Sequence, residues 1–205
     1  MNITNVNVYG LSESIHASGY PMRVDLPSEM DIYANDTSRA IKLAGASIGT
    51  GHDNFLNGII VQFDLTAPIK MWTEMQRYHF MDFVSSQSTM HRLRDMDLDT
   101  AFDSDTDPRI IEIMKELQAD YRMKVSHSDV FGEQVKEAWM KLILSCPVGL
   151  NLTARMTTNY RQLKTIYAQR KNHRLPHWRK FCSWIETLPC SEFMTGHVFE
   201  VKPLP

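Results

Sequence analysis

Side chains that can bind anions are concentrated between Asn151 and Lys180. This segment contains eight Lys or Arg, two His and no Asp or Glu. Asn159 begins an apolar helical pattern in this segment, and Arg170 follows eleven residues later. Eleven residues are almost three helical turns, so the two side chains would lie about 20° apart around a helix axis. A helix start that offers backbone N–H groups close to basic side chains indicates an anion-binding site.

Composition indicates an ordinary globular chain whose charge is unevenly distributed. Its 205 residues are 43% apolar and carry a formal net charge of −2. Residues 82–107 include seven Asp against two Arg, whereas residues 151–180 are wholly basic. This asymmetry fits an anionic ligand on the basic part, a contact between the two parts, or two separate solvated surfaces. No linker rich in Pro, Gly or Ser divides the chain, so we predict one domain over residues 1–205.

The cysteines and the apolar stretches limit the class of protein. Cys146, Cys182 and Cys190 lack the paired spacing of a metal site, and their odd number argues against a disulfide framework. No stretch approaches the ~20 apolar residues that a membrane span needs. The first residues also lack the basic and apolar regions of a signal peptide. We therefore expect a cytoplasmic protein with reduced thiols, no bound metal and no membrane contact.

The hydrophobic pattern predicts an α+β domain with more helix than strand. Strands are predicted at residues 3–9, 59–65 and 153–158, where apolar residues alternate or form a short bounded run. Helices are predicted where apolar residues recur at helical spacing, over residues 36–47, the first half of 69–90, from 108 onward, 129–146, from 159 onward and 175–188. The rough helical spacing continues to residue 90, but the serines at 85–88 allow a break. Residues 94–107 are acidic and poorly periodic, which predicts a mobile loop.

Two blocks of the sequence resemble the flavin-dependent thymidylate synthases. In that family a Gly-His-Glu motif precedes a strand, an Ala-Pro and an Arg-His-Arg motif, and the corresponding residues here are Gly51-His52-Asp53, the strand 59–65, Ala67-Pro68 and Arg77-Tyr78-His79. The family's later block has a Leu-Pro, a Thr-Val-Asn-Ala-Arg-Ser-Leu motif and a downstream arginine. The residues at its spacing here are Pro147, Thr157, Asn159, Arg161, Leu163, Thr165 and Arg170. Both blocks keep their order without a gap, and the resemblance covers roughly residues 44–184.

The resemblance implies both a fold and an activity. The fold is a mainly antiparallel sheet flanked by several helices. Members of that family use FAD, reduced by NADPH, to pass a one-carbon unit from methylene-tetrahydrofolate to C5 of dUMP. They work as homotetramers with sites between subunits. The expected ligands are therefore FAD and a pyrimidine nucleotide, and the expected assembly is a homo-oligomer.

The resemblance also implies roles for single residues. Arg170 would be the catalytic arginine that holds and polarises the pyrimidine. Contacts with the flavin are implied for Arg77, Tyr78, His79, Asn159, Arg161 and Thr165. Contacts with the nucleotide are implied for Glu74, Arg77, Gln87, Ser88, Arg92 and Arg170. Arginine suits such roles because its planar fork presents paired donors to carbonyl or phosphate oxygens and stays charged. It would also stabilise the enolate that forms when C5 becomes nucleophilic.

The chain departs from the family within these motifs. The changed positions are Gly58, Glu74, Tyr78, His79, Ser85, Gln87, Thr89 and Ile143. Together they remove two cations and a hydroxyl from the family's nucleotide site. Charge-assisted hydrogen bonds contribute about 1.5–3 kcal/mol each, so we predict that dUMP would not bind in the family's manner. A shift of one or two residues would bring Ser88 and Arg92 near the missing positions.

Three functions fit these observations. The first is a divergent flavin-dependent enzyme that transfers a methyl or hydroxymethyl group to C5 of dUMP or a related nucleotide. The second is a non-catalytic homologue that acts as a partner or regulatory protein. The third is nucleic-acid binding through residues 151–180, with Tyr160, Tyr167 and Trp178 available to stack on bases.

Overall fold

The described residues include one four-stranded sheet. The computed structural model describes residues 1–25, 34–47 and 49–196. The strands in these ranges are β1 Asn2–Tyr9, β2 Ile60–Pro68, β3 Met81–Ser86 and β4 Asn151–Asn159. They form an antiparallel sheet in the order β1-β2-β4-β3, so β2 and β4 are central and the other two are edges. The predicted α+β class with a mainly antiparallel sheet is confirmed.

Helices connect and follow the strands. In the described ranges they are α1 Leu11–Ala17, α2 Ala34–Ala44, α3 Ile69–Met75, α4 Thr89–Arg92, α5 Pro108–Ser126, α6 Ser128–Phe131, α7 Glu133–Leu144, α8 Tyr160–Arg170, α9 Pro176–Ile185 and α10 Glu192–Thr195. Short 3₁₀ turns cover Tyr20–Met22 and Asn54–Gly58. Local signals set some of these ends. The Asp107 side chain accepts the N–H of Arg109 at the start of α5, where Pro108 occupies the first turn.

The helix predicted for the first half of residues 69–90 is confirmed, but the helical spacing that continues beyond it belongs to a strand. α3 ends at Met75, and β3 follows at Met81–Ser86. Phe83 and Val84 fit a helical spacing, but they are 42% and 57% exposed on an edge strand. No core therefore selects a helical face there, and aromatic and β-branched residues favour a strand.

The chain divides into two compact units. The first comprises Met1–Ile3, Asp64–Arg77 and Phe83–Arg155. The second comprises Thr4–Phe63, Tyr78–Asp82 and Met156–Pro205. Each of the four strands therefore contributes residues to both units. The expectation of one domain over residues 1–205 stays a prediction.

The first unit has a leucine-rich core. Its most buried members are Leu93, Leu98, Met114, Leu142 and Leu150, each at most 3% exposed. Burying such side chains contributes roughly 1.5–3 kcal/mol each. Leu98 belongs to the stretch predicted as a loop, and residue 102 of that stretch forms an antiparallel bridge with residue 150. The irregular stretch is therefore packed on the core, while its mobility stays a prediction.

The second unit has an aromatic core built around α9. Phe63 of β2 lies 4.6 Å from Trp184 and 6.0 Å from Phe181, measured between ring centroids. Trp178 packs on Phe181 at 5.9 Å in an edge-to-face arrangement. The apolar stripe predicted for residues 175–188 is thus confirmed in α9. It fixes the helix whose Trp178 faces the candidate site.

Candidate functional site

Arg170, the last residue of α8, is held by aromatic side chains of the second unit. Its Nε–H donates to the hydroxyl oxygen of Tyr78 at 2.7 Å. The guanidinium carbon lies 4.7 Å from the Trp178 ring centroid and 5.7 Å from that of Tyr78. The Tyr78 hydroxyl donates in turn to Gln169 Oε1 at 3.1 Å. Both aromatic residues are buried, and a cation over such a ring is stabilised by about 0.5–2 kcal/mol.

The segment that carries Tyr78 is fixed to the start of α8. Asn159 ends β4 and caps α8, because its Oδ1 accepts the N–H of Gln162 at 2.8 Å. The Thr158 hydroxyl donates to the carbonyl of Phe80 at 2.6 Å, and Gln162 Oε1 accepts the N–H of the same Phe80 at 3.4 Å. The backbone two residues after Tyr78 is therefore anchored at the helix start. The site is positioned by both ends of α8.

A buried carboxylate takes up two of the basic residues of α8. Asp53 is 1% exposed. Lys164 Nζ lies 2.8 Å from its Oδ2, and Arg161 Nε lies 3.3 Å from its Oδ1. Lys164 also donates to the carbonyls of Ala44 and Ala46 at 2.7 and 2.8 Å. These two cations therefore have a buried ionic partner within the fold, whatever else they bind.

The other residues predicted to contact flavin in the second unit differ in exposure. The Thr165 hydroxyl donates to the carbonyl of Arg161 at 3.2 Å, a bond within α8. Arg161 keeps 33% of its side chain exposed despite its ion pair. His79 is exposed and packs edge-on against Phe80, with the ring centroids 5.0 Å apart. Of the predicted set in this unit, Tyr78 and Arg170 are joined by a side-chain hydrogen bond.

Gln87, predicted to bind the nucleotide, completes the edge of the sheet in the first unit. Its backbone N–H donates to the carbonyl of Thr153 at 2.9 Å. Its side-chain Oε1 accepts the N–H of the same Thr153 at 2.9 Å. The carboxamide thus continues the pairing of β4 beyond the end of β3. Its oxygen has a structural partner, which leaves nucleotide binding to its NH₂ group.

The remaining predicted nucleotide residues lie in or beside short helices of the first unit. Glu74 pairs with Lys70 along α3, with 3.3 Å between the charged atoms. The carbonyl of Ser88 accepts the N–H of Arg92 at 2.9 Å as α4 begins. Arg77 and Arg92 are exposed, and neither has a side-chain hydrogen bond or ion pair among the described residues. These two arginines are the cations of this group best able to meet an anion.

A cleft of about 250 Å³ in the first unit was not predicted. Its apolar lining comprises Ile69, Trp72, Phe83, Leu152 and Ala154. Its polar lining comprises Thr73, Gln76, Ser86, Gln87 and Thr89. Recognition of the cleft required β3, which the sequence did not predict. The aromatic and β-branched residues around position 83, followed by serines, were the signal that could have revealed the strand.

The aromatic residues proposed to stack on nucleic acid are buried. Trp178 and Tyr160 are 0% exposed and Tyr167 is 5% exposed. The Tyr160 hydroxyl donates to the carbonyl of Pro189 at 2.5 Å, and the Tyr167 hydroxyl donates to Glu186 at 2.7 Å. The expectation that these rings are available to bases is therefore wrong. They are core residues, and their apolar neighbours explain the helical spacing that they show.

Three observations on the described residues concern their thiols, their possible metal ligands and the apolar character of their helices. Cys146, Cys182 and Cys190 are free thiols, and burial raises the pKa of each to about 11. Within residues 1–25, 34–47 and 49–196, no group of three or more His, Cys, Asp or Glu could hold a metal ion. Nor does any helix in those ranges have the length and apolar character to cross a membrane.

The fold and the site define an α+β protein whose last strand leads directly into a helix that ends in an aromatically held arginine. Two solved structures are similar: flavin-dependent thymidylate synthase ThyX from Helicobacter pylori complexed with FAD and dUMP, and a second ThyX structure from the same organism with the same ligands. Their TM-scores are 0.66 and 0.67, each at 13% identity and covering 95% of this chain and 97% of the other. The chain therefore has the fold of the flavin-dependent thymidylate synthases. No protein-family model and no curated protein matches the sequence.

Proposed function

We propose that this protein is a divergent flavin-dependent enzyme that alkylates C5 of a pyrimidine nucleotide, with dUMP or a relative as substrate. The observation that supports this best is the fixed guanidinium of Arg170, bonded to Tyr78 and stacked on Trp178. The similar ThyX structures, which contain FAD and dUMP, support the same ligands here. The expected product carries a new methyl or hydroxymethyl group on the ring.

Arg170 would act on the pyrimidine through its charge and its fixed plane. When C5 of a uracil ring becomes nucleophilic, negative charge develops on a ring carbonyl oxygen. A guanidinium that is already oriented stabilises this charge without reorganising, which is the main source of electrostatic catalysis. The hydrogen bond that Arg170 donates to Tyr78 and its stacking on Trp178 supply that orientation. Arg170 is thus the proposed catalytic residue, and the two aromatic residues position it.

FAD is the proposed cofactor, with NADPH and methylene-tetrahydrofolate as co-substrates. When bound, flavin supplies the electrons of the transfer. The donor set suits an anionic dinucleotide. Arg77 and His79 are exposed, and Arg161 exposes a third of its side chain, so each can offer hydrogen bonds to phosphate or carbonyl oxygens. Asn159 uses its oxygen as a helix cap and would bind flavin through its NH₂ group. Tyr78 and Thr165 complete the proposed flavin contacts.

The proposed nucleotide contacts fall in two sets. In the first unit they are Glu74, Arg77, Gln87, Ser88 and Arg92. In the second unit the proposed nucleotide contact is Arg170. Arg77 and Arg92 are exposed cations suited to a phosphate. A cytoplasmic homo-oligomer, a tetramer by resemblance, is the proposed state of the enzyme.

A second candidate function is a non-catalytic homologue that serves as a partner or regulatory protein. The observation that favours it is the structural use of predicted ligand-binding groups. Asn159 caps α8, Arg161 pairs with buried Asp53, and Gln87 completes the sheet edge. A protein that kept the fold and lost the reaction would keep all three contacts.

Reconstitution with FAD separates the two candidates. The purified protein would be incubated with FAD, freed of excess by gel filtration and examined for visible flavin absorbance, with dUMP then added in a calorimetric titration. An enzyme is expected to retain FAD and to bind dUMP, and Arg170→Ala is expected to lose dUMP while retaining FAD. The exposed Lys180 of α9 provides a control, because Lys180→Ala also removes one cation from residues 151–180. A protein that retains no flavin and binds no nucleotide, yet forms a stable oligomer, would support the non-catalytic alternative.

A further inference from the structure

We propose that the outward face of α7 is a contact surface for a second copy of this chain, which docks there in an antiparallel arrangement about a two-fold axis. This face comprises the exposed residues Glu133, Lys136, Glu137, Met140, Lys141 and Leu144. The resemblance suggests a homo-oligomer without identifying the surface that its copies share. The inference does not rest on the proposed function, because it involves neither Arg170 nor a bound ligand.

The outward face of α7 carries two large apolar side chains. Ala138 and Leu142 are the buried residues of this helix. Met140 lies about 160° around the helix axis from each of them, so it points away from the core, and Leu144 follows one turn later on the same side. Met140 is 40% exposed and Leu144 is 76% exposed. Covering both side chains with a partner would remove apolar surface from water, which favours association.

The same face contains a charged groove. This groove has a volume of about 450 Å³, and all the residues of the face except Leu144 line it. Within the described ranges, none of its four charged residues forms an ion pair or a side-chain hydrogen bond. Glu137 and Lys141 have the spacing that favours a pair along a helix, yet they too are unpaired in that part of the chain. Their charges are therefore available to a partner.

An antiparallel arrangement of two α7 helices brings opposite charges together. In a parallel pair in register, Glu137 would face Glu137 and Lys141 would face Lys141, and these like charges would repel one another. A two-fold axis perpendicular to the helix beside Met140 reverses the second helix. It then places Glu137 of each copy opposite Lys141 of the other. Such an axis also makes both copies use the same surface, as a closed dimer contact requires.

The antiparallel arrangement also fits the apolar side chains to the groove. Met140 lies nearest the axis, so the methionines of the two copies meet. Residues equally far before and after the axis face each other, so Leu144 of one copy reaches Lys136 in the groove of the other. The aliphatic part of a lysine side chain can cover apolar surface while its charge stays in water. Each copy thus offers an apolar side chain and receives one, which favours a second copy over an unrelated partner.

Charge-reversed variants test the pairing between copies. The contact uses one helix face from each copy, so we expect weak association that depends on protein concentration. Glu137→Lys and Lys141→Glu each set like charges against one another, and each is expected to weaken association roughly tenfold or more. Sedimentation velocity of the full chain over a range of concentrations measures this effect. Both side chains are exposed, so the variants are expected to stay folded, which circular dichroism would check.

A mixture of the two variants distinguishes a contact between copies from an effect within one chain. Glu137→Lys in one copy and Lys141→Glu in the other restore opposite charges at both pairs. We therefore expect the equimolar mixture to associate as tightly as the unaltered protein and to form mixed complexes. Native mass spectrometry identifies these complexes when one variant is labelled with ¹⁵N. A mixture that associates as weakly as each variant alone would overturn the proposed arrangement.

Two further variants locate the contact on α7. Met140→Glu places a charge beside the axis and is expected to shift the protein to a smaller assembly. Glu116→Lys makes the same change of charge as Glu137→Lys on exposed α5, outside the groove, and is expected to leave association unchanged. An unaltered protein that stays monomeric at every concentration would overturn the proposal, and so would association that Met140→Glu leaves intact. Failure to bind FAD or dUMP would bear on the proposed function alone, since these experiments contain neither.

Discussion

Tyr78 and Arg170 lie 92 residues apart along the chain and are joined by a 2.7 Å hydrogen bond from the arginine Nε–H to the phenol oxygen. In the family that the sequence resembles, the position of Tyr78 is a histidine. The phenol here also donates to Gln169, the residue before the arginine. The side chain at position 78 therefore orients the last two residues of α8.

Arg170→Ala is expected to abolish dUMP binding and to leave the protein folded. The variant loses the bond to Tyr78 and the stacking on Trp178. We expect the free energy of unfolding to fall by about 1–2 kcal/mol, the sum of one hydrogen bond and one partly exposed cation–π contact. Calorimetry with dUMP and urea denaturation measure the two effects. Lys180→Ala should alter neither, and unchanged dUMP binding in Arg170→Ala would refute the catalytic assignment.

Tyr78→Phe is expected to weaken dUMP binding about three- to tenfold while the ring packing survives. The variant removes only the hydroxyl that joins Arg170 and Gln169. A double-mutant cycle of Tyr78→Phe with Arg170→Ala, followed by urea denaturation, isolates the interaction. We expect a coupling free energy of about 1 kcal/mol. Strictly additive losses would mean that the hydrogen bond does not stabilise the site.

Asp53→Asn is expected to lower the free energy of unfolding by about 3 kcal/mol, because it leaves Arg161 and Lys164 beside a neutral buried amide. Asp99→Asn is the matched control. Asp99 pairs with Lys115, but 73% of its side chain is exposed, so its loss should cost about 0–1 kcal/mol. Urea denaturation of both variants gives the comparison. If the two variants lost similar amounts of unfolding free energy, the burial of Asp53 would not add to the strength of its ion pairs.

Stability is expected to fall at alkaline pH, in part through Cys182 of α9. Burial raises the pKa of this thiol to about 11, with the Glu186 charge adding to the effect. The unfolded thiol ionises near pH 8.5, so the unfolded chain loses its proton first. The contribution of the buried thiol is therefore complete below about pH 8.5 and is lost as pH rises towards 11.

Urea denaturation at about pH 8 and about pH 10.5 tests the role of the thiol. Cys182→Ala should lose less stability over that interval than the unaltered protein. Equal losses of unfolding free energy in the variant and the unaltered protein would mean that other groups cause the loss of stability at alkaline pH. Cys182 is also 2% exposed, and because the thiolate is the reactive form, alkylation at neutral pH should be much slower in the folded than in the urea-unfolded protein.

Local signals account for what the sequence predicted well. β4 and α8 were predicted because the strand pattern of residues 153–158 is followed at once by an apolar helical pattern that begins at Asn159. β3 was missed because its register depends on β4, and the side chain of Gln87 meets Thr153 from 66 residues away. The partners of Arg161 and Gln87 were hidden for the same reason. An ion pair or a sheet edge formed by residues distant in the sequence does not change the hydrophobic periodicity around either residue, so it cannot be predicted from that periodicity.

The resemblance named candidate residues and did not describe their surroundings. Tyr78 and Arg170 were both proposed, and their direct contact appeared only with the fold. Asn159 was proposed as a flavin contact, and its role as a helix cap follows from β4 ending where α8 begins. A motif preserves residue types at given spacings, whereas burial and hydrogen-bond partners depend on the elements that pack around them.

The direct passage from β4 into α8 makes the interval between Asn159 and Arg170 a fixed length. No connecting residue can absorb an insertion, since Asn159 ends the strand and Tyr160 begins the helix. One added residue would rotate the arginine by about 100° and shift it about 1.5 Å along the axis, away from the Trp178 ring. Distant relatives that share the site should therefore vary in length around this interval and never within it. An asparagine followed by an arginine eleven positions later is therefore a sequence pattern with which such relatives can be searched for.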